Sequence, residues 1–262
     1  MPIRTMINLW PLFTGLALIG LAVGVQNSLL GIRAELEGFD DYLIALLMSC
    51  YFAGFMIGSR LTPALIERVG HIRIFAALSA VASVTILIHA IYIEPWAWAL
   101  MRLLTGFAFS TIFVVSESWL NQASTNTNRG QILAIYTAIL LSGICAGQFM
   151  LNLASPGGFE LFILISVMVS VAAVPILLSV IATPPPDETE RVSIGHLWHR
   201  TPMGVMGIIL SQWVSSILFG MGAVYATKLG FTIAQVANFM GAMMAGGMLF
   251  PWPLGKLSDA ID

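Results

Sequence analysis

Arg102 stands where an arginine is hardest to keep, about six residues inside the apolar run 96–120. An ionised side chain at bilayer depth costs at least about 2.5–3.5 kcal/mol, so it asks for a partner or a purpose. Glu117 lies near the other end of the same run, in Ser116-Glu117-Ser118-Trp119-Leu120. Fifteen residues of helix separate the two by about 22 Å, which excludes a direct pair. Neutral polar side chains recur in other apolar runs: Gln26, Asn27, Gln148, Asn152, Gln212 and Asn238, with Tyr51 and Trp213 among the aromatics. Each amide can serve as an interhelical hydrogen-bonding group. Enzyme chemistry is not indicated, because no paired acids, His/Glu metal set or Ser/Lys dyad occurs at that depth and His89 is solitary. Cys50 and Cys145 lie inside apolar runs without a CxxC pair or Cys/His cluster, which argues against a disulfide scaffold, zinc or a reactive thiol. No metal or cofactor is implied, and no Walker motif points to ATP.

The elements that must position these groups follow from composition. Hydrophobic residues make up 58% of the 262 and charged residues 9%, against roughly 25% charged in soluble domains. Such a chain has too few ionisable groups to face water, and lipid is its solvent. A net charge of -2 offers no footprint for nucleic acid. Eight apolar stretches, each long enough to cross about 30 Å of hydrocarbon, run over 9–31, 42–65, 74–93, 96–120, 131–154, 159–182, 203–229 and 232–254. The first, at 23 residues and without a small-residue cleavage site, reads as a retained helix rather than a signal peptide. Trp10, Trp96, Trp119, Trp198 and Trp252 fall near span ends, where aromatic rings anchor at the headgroups.

Lys and Arg set the orientation. With the N-terminus inside, the inner segments hold Arg4, Arg60, Arg68, Arg73, Arg129, Arg191, Arg200 and Lys256, while the outer loops hold only Arg33 and Lys228. The acidic cluster Glu35, Glu37, Asp40 and Asp41 then lies outside. This predicts a multi-pass protein of the cytoplasmic (inner) membrane with its N-terminus in the cytoplasm. One connection differs from the rest: 183–202 carries three successive prolines, Pro184 to Pro186, and a charged remainder. It divides a six-helix bundle (1–182) from two further helices (203–262).

Sliding the chain against itself by 192 residues pairs 38–70 with 230–262 without a gap, with eight of 33 positions identical, Gly38/Gly230, Phe39/Phe231 and Gly54/Gly246 among them. Small-residue motifs recur as Gly20-x-x-x-Gly24, Gly54-x-x-x-Gly58 and Gly143-x-x-x-Gly147, which let helix backbones approach. The loop after the second span reads Pro63-Ala64-Leu65-Ile66-Glu67-Arg68-Val69-Gly70-His71-Ile72-Arg73, and that after the eighth reads Gly255-Lys256-Leu257-Ser258-Asp259. The fourth span adds Arg102-Leu103-Leu104-Thr105-Gly106.

Together these resemble the major facilitator superfamily, with its Gly-x-Leu-x-Asp-Arg-x-Gly-Arg-like loop motif and Arg-x-x-x-Gly signature. Pro63 and Glu67 depart from the first Gly and the Asp of the loop motif. The resemblance implies an all-α membrane fold of twelve helices in two six-helix halves, of which eight are here, so four further helices are expected to pack on this chain. It implies a secondary active transporter that moves a small polar or amphipathic solute by alternating access, coupled to protons; the alternative is a non-transporting accessory or receptor protein, or an inactive fragment. For Arg102 two readings stay open: snorkelling or pairing with backbone carbonyls, and a charged lining of the central cavity. Gln26, Asn27, Gln148, Asn152, Gln212, Tyr51 and Trp213 are the other solute or proton-coupling candidates. Glu67, Arg68, Gly70, Arg73, Glu117, Gly255 and Asp259 are candidates for a cytoplasmic gating motif, with Glu117 either a simple interfacial acid or part of a salt-bridge latch. Exporters of the family often carry Gly-Pro at the end of helix five; here Gln148 follows Gly147, which leaves drug–proton antiport unsupported.

Overall fold

The structure, a computed structural model, describes residues 3–125, 127–179 and 194–250. It is nearly all helical: α1 (Ile3–Leu36), α2 (Asp41–Val69), α3 (His71–Ile91), α4 (Pro95–Gln122), α5 (Arg129–Phe149) with a 3-10 turn at Met150–Leu153, α6 (Glu160–Ala172), α7 (Val174–Leu178), α8 (Ile194–Arg200), α9 (Pro202–Lys228) and α10 (Ile233–Leu249). No strand occurs among the described residues. Among the described residues, seven helical stretches are long and apolar enough to cross a membrane, α6 and α7 together forming the sixth. The eighth predicted span is α10, with 17 residues; 251–254 lie outside the described residues. The break in the sixth span falls beside Pro175, which has no N–H to continue the helix ladder.

Local chemistry sets the helix boundaries. Asp40 caps α2 by accepting from the Leu43 amide at 2.8 Å, Pro95 opens α4, and Thr232 with Gln235 forms a capping box on α10. The α2–α3 reversal uses the single residue Gly70 at φ 87°, a conformation that a side chain would strain. The 192-residue repeat has a geometric counterpart at the turns before α2 and α10. Gly38 and Gly230 both have positive φ, at 76° and 81°. Phe39 N–H reaches Ala34 O at 3.1 Å and Phe231 N–H reaches Ala226 O at 3.2 Å; Gly38 to Glu35 and Gly230 to Thr227 match likewise, at 3.0 and 2.9 Å. The same sequence offset thus reproduces the same backbone bonds.

In lipid, helices gain little from apolar burial against one another, so close approach must carry the packing. Two helix pairs achieve it through glycine. On α1 and α5, Gly20 and Gly24 face Gly143 and Gly147: a Cβ at Gly143 would sit 3.1 Å from the Gly20 Cα, and one at Gly147 3.1 Å from the Gly24 Cα. On α2 and α4, a Cβ at Gly54 would run into the Leu103 carbonyl, and one at Gly106 into the Tyr51 carbonyl. The pairs are joined by α3 and α6, whose Ser83, Ser166 and Ser170 hydroxyls bond at 2.7–2.8 Å.

The bundle has two ends of different charge. The α1–α2, α3–α4, α5–α6 and α9–α10 connections share an end that carries Glu35, Glu37, Asp40, Asp41, Glu94 and Glu160, the acidic end. Arg68, Arg73 and Arg129 mark the opposite, basic end. Trp10 and Trp96 are exposed, as headgroup anchors would be, whereas Trp119 is buried beside His71, with ring centroids 6.3 Å apart. Trp119 is therefore a packing residue and no anchor.

Gly54→Leu and Gly106→Leu should each lower the thermal unfolding transition of the detergent-purified chain, by roughly 1–3 kcal/mol of lost stability for overpacking. Gly247→Leu, whose Cβ would meet open space, should not.

Candidate functional site

Arg102 projects from α4 toward α2, only 1% exposed. The Gly54–Leu103 and Gly106–Tyr51 contacts bring the helix backbones together beside it. Its guanidinium carbon stands 4.5 Å from the centre of the Tyr51 ring, a cation–π contact, and Nη2 donates to Met48 Sδ at 3.3 Å. Nε and Nη1 have no hydrogen-bond partner among the described residues. No carboxylate among the described residues pairs with it. A thioether and an aromatic face leave the positive charge uncompensated, and a buried unpaired charge is among the most expensive arrangements in a protein. The two open guanidinium nitrogens are donors, and a planar fork of this kind is chemically matched to an acceptor group, best an anionic one.

The other predicted site residues divide. Tyr51 is at the site. Gln26 is buried on α1, and neither atom of its amide has a partner among the described residues; Asn27 beside it is also buried. Gln148 is fully used in holding helices together: Ser28 Oγ donates to its Oε1 at 2.6 Å, and its Nε2 donates to the Gly24 carbonyl at 2.8 Å, tying α5 to α1. Asn152 is exposed in the turn after α5 and donates to Phe149 O at 3.1 Å. Gln212 and Trp213 lie on an exposed stretch of α9, away from Arg102.

Glu67, Arg68 and Arg73 are exposed at the basic end, around the tight turn at Gly70. Glu117 accepts from the Tyr136 hydroxyl at 3.0 Å instead of meeting an arginine. His71, at the start of α3, reaches Ser118 at 3.1 Å and ties this turn to α4. Gly255 and Asp259 lie outside the described residues. Among the described residues, all ion pairs lie at the acidic end.

That end is locked by residues the sequence motifs did not single out. Lys228, the last residue of α9, meets Asp41 at 2.5 Å and Glu35 at 3.4 Å, bridging α9 to α1 and α2. Arg33 pairs with Glu37 at 2.7 Å and donates to the carbonyls of Pro156 and Gly157, pinning the α5–α6 connection. Packing of α9 follows the same polarity. Its buried residues are Gly220, Gly222, Ala223, Val224 and Ala226, all toward Lys228. A Cβ at Gly220 would lie 3.3 Å from Met48, and one at Gly31 would lie 2.8 Å from Val224. Toward the basic end, α9 is mostly exposed from Met203 to Leu218. The signal for the lock was in the sequence as charge sign alone, since Lys228 and the acidic cluster were assigned to the same side.

Among the described residues, seven helical stretches long and apolar enough to cross a membrane, packed around a buried arginine and tied by ion pairs at one end, define a multi-pass membrane protein. Comparison with known proteins agrees: the family model described as Major Facilitator Superfamily matches residues 12–262, and the chain belongs to that superfamily. It is 28% identical over 250 residues to the uncharacterized MFS-type transporter YcaD of Escherichia fergusonii, covering 95% of this chain. It is 27% identical over the same length to YcaD of Escherichia coli O45:K1. The chain spans 65% of the length of these relatives. Among solved structures, a mutant of the nucleoside transporter NupG superposes with a TM-score of 0.68 at 14% identity, over 93% of this chain and 67% of that one, which establishes the likeness of fold. The family is one of transporters and not of enzymes.

Gln148→Leu is expected to destabilise the chain by about 1–3 kcal/mol, because Ser28 and the Gly24 carbonyl lose buried partners. Asn152→Leu, at an exposed turn, should be near neutral; unfolding transitions of both variants in detergent check this.

Proposed function

We propose that this chain works as part of a proton-coupled secondary transporter, which moves a small polar or amphipathic solute bearing an anionic group across the cytoplasmic membrane by alternating access. The observation that carries the reading is Arg102: buried, in contact with Tyr51 and Met48, with Nε and Nη1 unpartnered. A charge held at such expense needs a counter-charge that comes and goes, and a solute supplies one. Gln26, with both amide atoms unpartnered, adds donor and acceptor capacity in the same half of the fold.

The distribution of contacts supports alternating access. Lys228 holds α9 against α1 and α2 at the acidic end, while α9 stands free of the first bundle toward the basic end. With the basic end facing the cytoplasm, as the bias of Lys and Arg requires, these contacts make an outer gate. Ion pairs near water are weak, which suits a gate that must reopen. The exposed stretch of α9 and the greater length of the relatives support further helices that cover it in the whole transporter.

Solute counterflow in proteoliposomes, measured on the complete reading frame, tests the role of Arg102. Arg102→Ala should abolish exchange, and Arg102→Lys should reduce it at least about tenfold, because a point charge does not reproduce the planar fork. Undiminished exchange in both variants would remove Arg102 from the mechanism. For the gate, a cysteine at Ala223 in a Cys50→Ser, Cys145→Ser background should react several-fold faster with an impermeant maleimide when Lys228→Glu is added. Unchanged labelling would show that Lys228 does not hold the acidic end shut.

A further inference from the structure

Met48 of α2 is buried where α1, α2, α4 and α9 meet, and each part of its side chain has a different neighbour. Its Sδ accepts from Arg102 Nη2 on α4 at 3.3 Å. Its Cβ faces α9: a Cβ at Gly220 would lie 3.3 Å from it, closer than side chains ordinarily pack. Its Cε faces α1, 3.8 Å from where a Cβ at Gly31 would stand, and Val224 of α9 closes on that same position at 2.8 Å. One turn along α2 the arrangement recurs in aromatic form. Tyr51 lies against the guanidinium, and Phe52, edge-on to Tyr51 with ring centroids 5.3 Å apart, stands 3.9 Å from the Gly220 position.

The other side of α9 has a matching contact. The 192-residue repeat makes Met240 of α10 the counterpart of Met48, and Met240 Sδ lies 2.9 Å from where a Cβ at Gly222 would stand. Residues two apart on a helix point about 200° from each other. The α9 helix is therefore seated between two methionines, Met48 at Gly220 and Met240 at Gly222. Among the described residues, Met48 is the member of the pair whose sulfur is held by a cation. The seat lies about two turns from Lys228, on the half of α9 that the ion pairs hold.

We propose that Met48 is the positioning residue that relays occupancy of Arg102 to α9 and so to the outer gate. While Arg102 has no anion, Nη2 holds Sδ and fixes the Met48 rotamer on which Gly220 and Gly31 close. A thioether is a weak acceptor, and a carboxylate takes the same N–H in a shorter, charge-assisted bond. When an anionic group pairs with the guanidinium, Nη2 turns to it and Sδ is released. An unbranched methionine repacks readily, so the surface under Gly220 is no longer fixed and α9 loosens at the acidic end. By linkage, the loosened seat favours the anion by the same factor as the anion favours the loosened seat. This rests on the anionic-solute reading of Arg102.

The test is the rate at which a polar maleimide labels a cysteine at Ala223 of the chain in lipid nanodiscs, in the Cys50→Ser, Cys145→Ser background. Arg102→Met, which keeps length and loses every N–H, and Met48→Leu, which keeps bulk and loses the sulfur, should each speed labelling several-fold. Both break one contact, so the double variant should be no faster than the faster single one. Met248→Leu, whose sulfur faces Ser142 of α5 instead, should label at the parental rate. Benzoate should speed labelling of the parent, neutral benzamide should not, and Met48→Leu should no longer respond. Parental rates in both single variants, effects that multiply in the double variant, or equal acceleration by Met248→Leu would overturn the relay. Thermal stabilisation by benzoate, read on the same samples, reports binding separately: stabilisation without faster labelling would overturn the relay and leave the anionic reading of Arg102 standing. If benzoate neither stabilises nor speeds labelling, carboxylate falls as the solute group and the variants decide the relay. If Arg102→Met fails to fold, the rate of Met48→Leu and its response to benzoate decide it.

Discussion

The close crossing of α2 and α4 is the constraint on which the site depends. Gly54 lies against the Leu103 carbonyl and Gly106 against the Tyr51 carbonyl, so each glycine touches backbone next to, or within, a residue of the site. Arg102 precedes Leu103 in the chain, and at this spacing its side chain has little choice but to lie over the Tyr51 ring and against Met48. A larger side chain at either glycine would separate the helices and open the contact. In lipid no hydrophobic driving force would draw them back, so shape at two positions does work that burial does in a soluble core.

From that crossing the rest of the molecule acquires its asymmetry. The α1–α5 pair, closed by four glycines and fixed by Gln148, supplies a second rigid unit. Between and beside these pairs, buried polar groups are either spent on holding helices together or left open. Gln148, Thr85, Thr105 and Ser83 are spent. Arg102, Gln26, His89 and Trp98 keep atoms without a partner among the described residues. Stabilising groups thus sit on helix contacts, whereas the open groups gather on α1, α3 and α4. Lys228 adds a contact from α9 to α1 and α2 at the acidic end.

Much of this was legible in the sequence because membrane helices have a strong signature. Length and hydropathy place the spans, and the offset of 192 residues foreshadows the matched turns at Gly38 and Gly230, since identical turn residues demand the same backbone. The three small-residue motifs mark the faces that pack, but not that those of α1 and α5 meet each other. Arg102 and Tyr51 were both singled out, one by charge and one as an aromatic group, yet their contact is a property of the crossing. Periodicity could not separate Gln148, engaged at both ends of its amide, from Gln26, engaged at neither. Gln212 and Trp213 looked central by depth along their span, but depth does not tell which face of α9 they occupy. Glu117 illustrates a further limit: the sequence offered the arginines of the α2–α3 turn as partners, and Tyr136 on α5 is the one it meets. His89 seemed solitary because its neighbours come from α4 and not from its own stretch of chain.

The central claim is that Arg102 is a buried cation held for an anion. Ligand-dependent thermal stabilisation of the purified chain tests it most directly, because a ligand that binds only the folded state stabilises it by about 2.7 kcal/mol at a hundredfold excess over its Kd. Within a panel of small carboxylates and their neutral amide isosteres, at least one carboxylate should raise the unfolding temperature of the unmodified chain while its amide does not. The increase should vanish in Arg102→Ala. Stabilisation by carboxylate and amide alike, or equally in the presence and absence of Arg102, would contradict the claim.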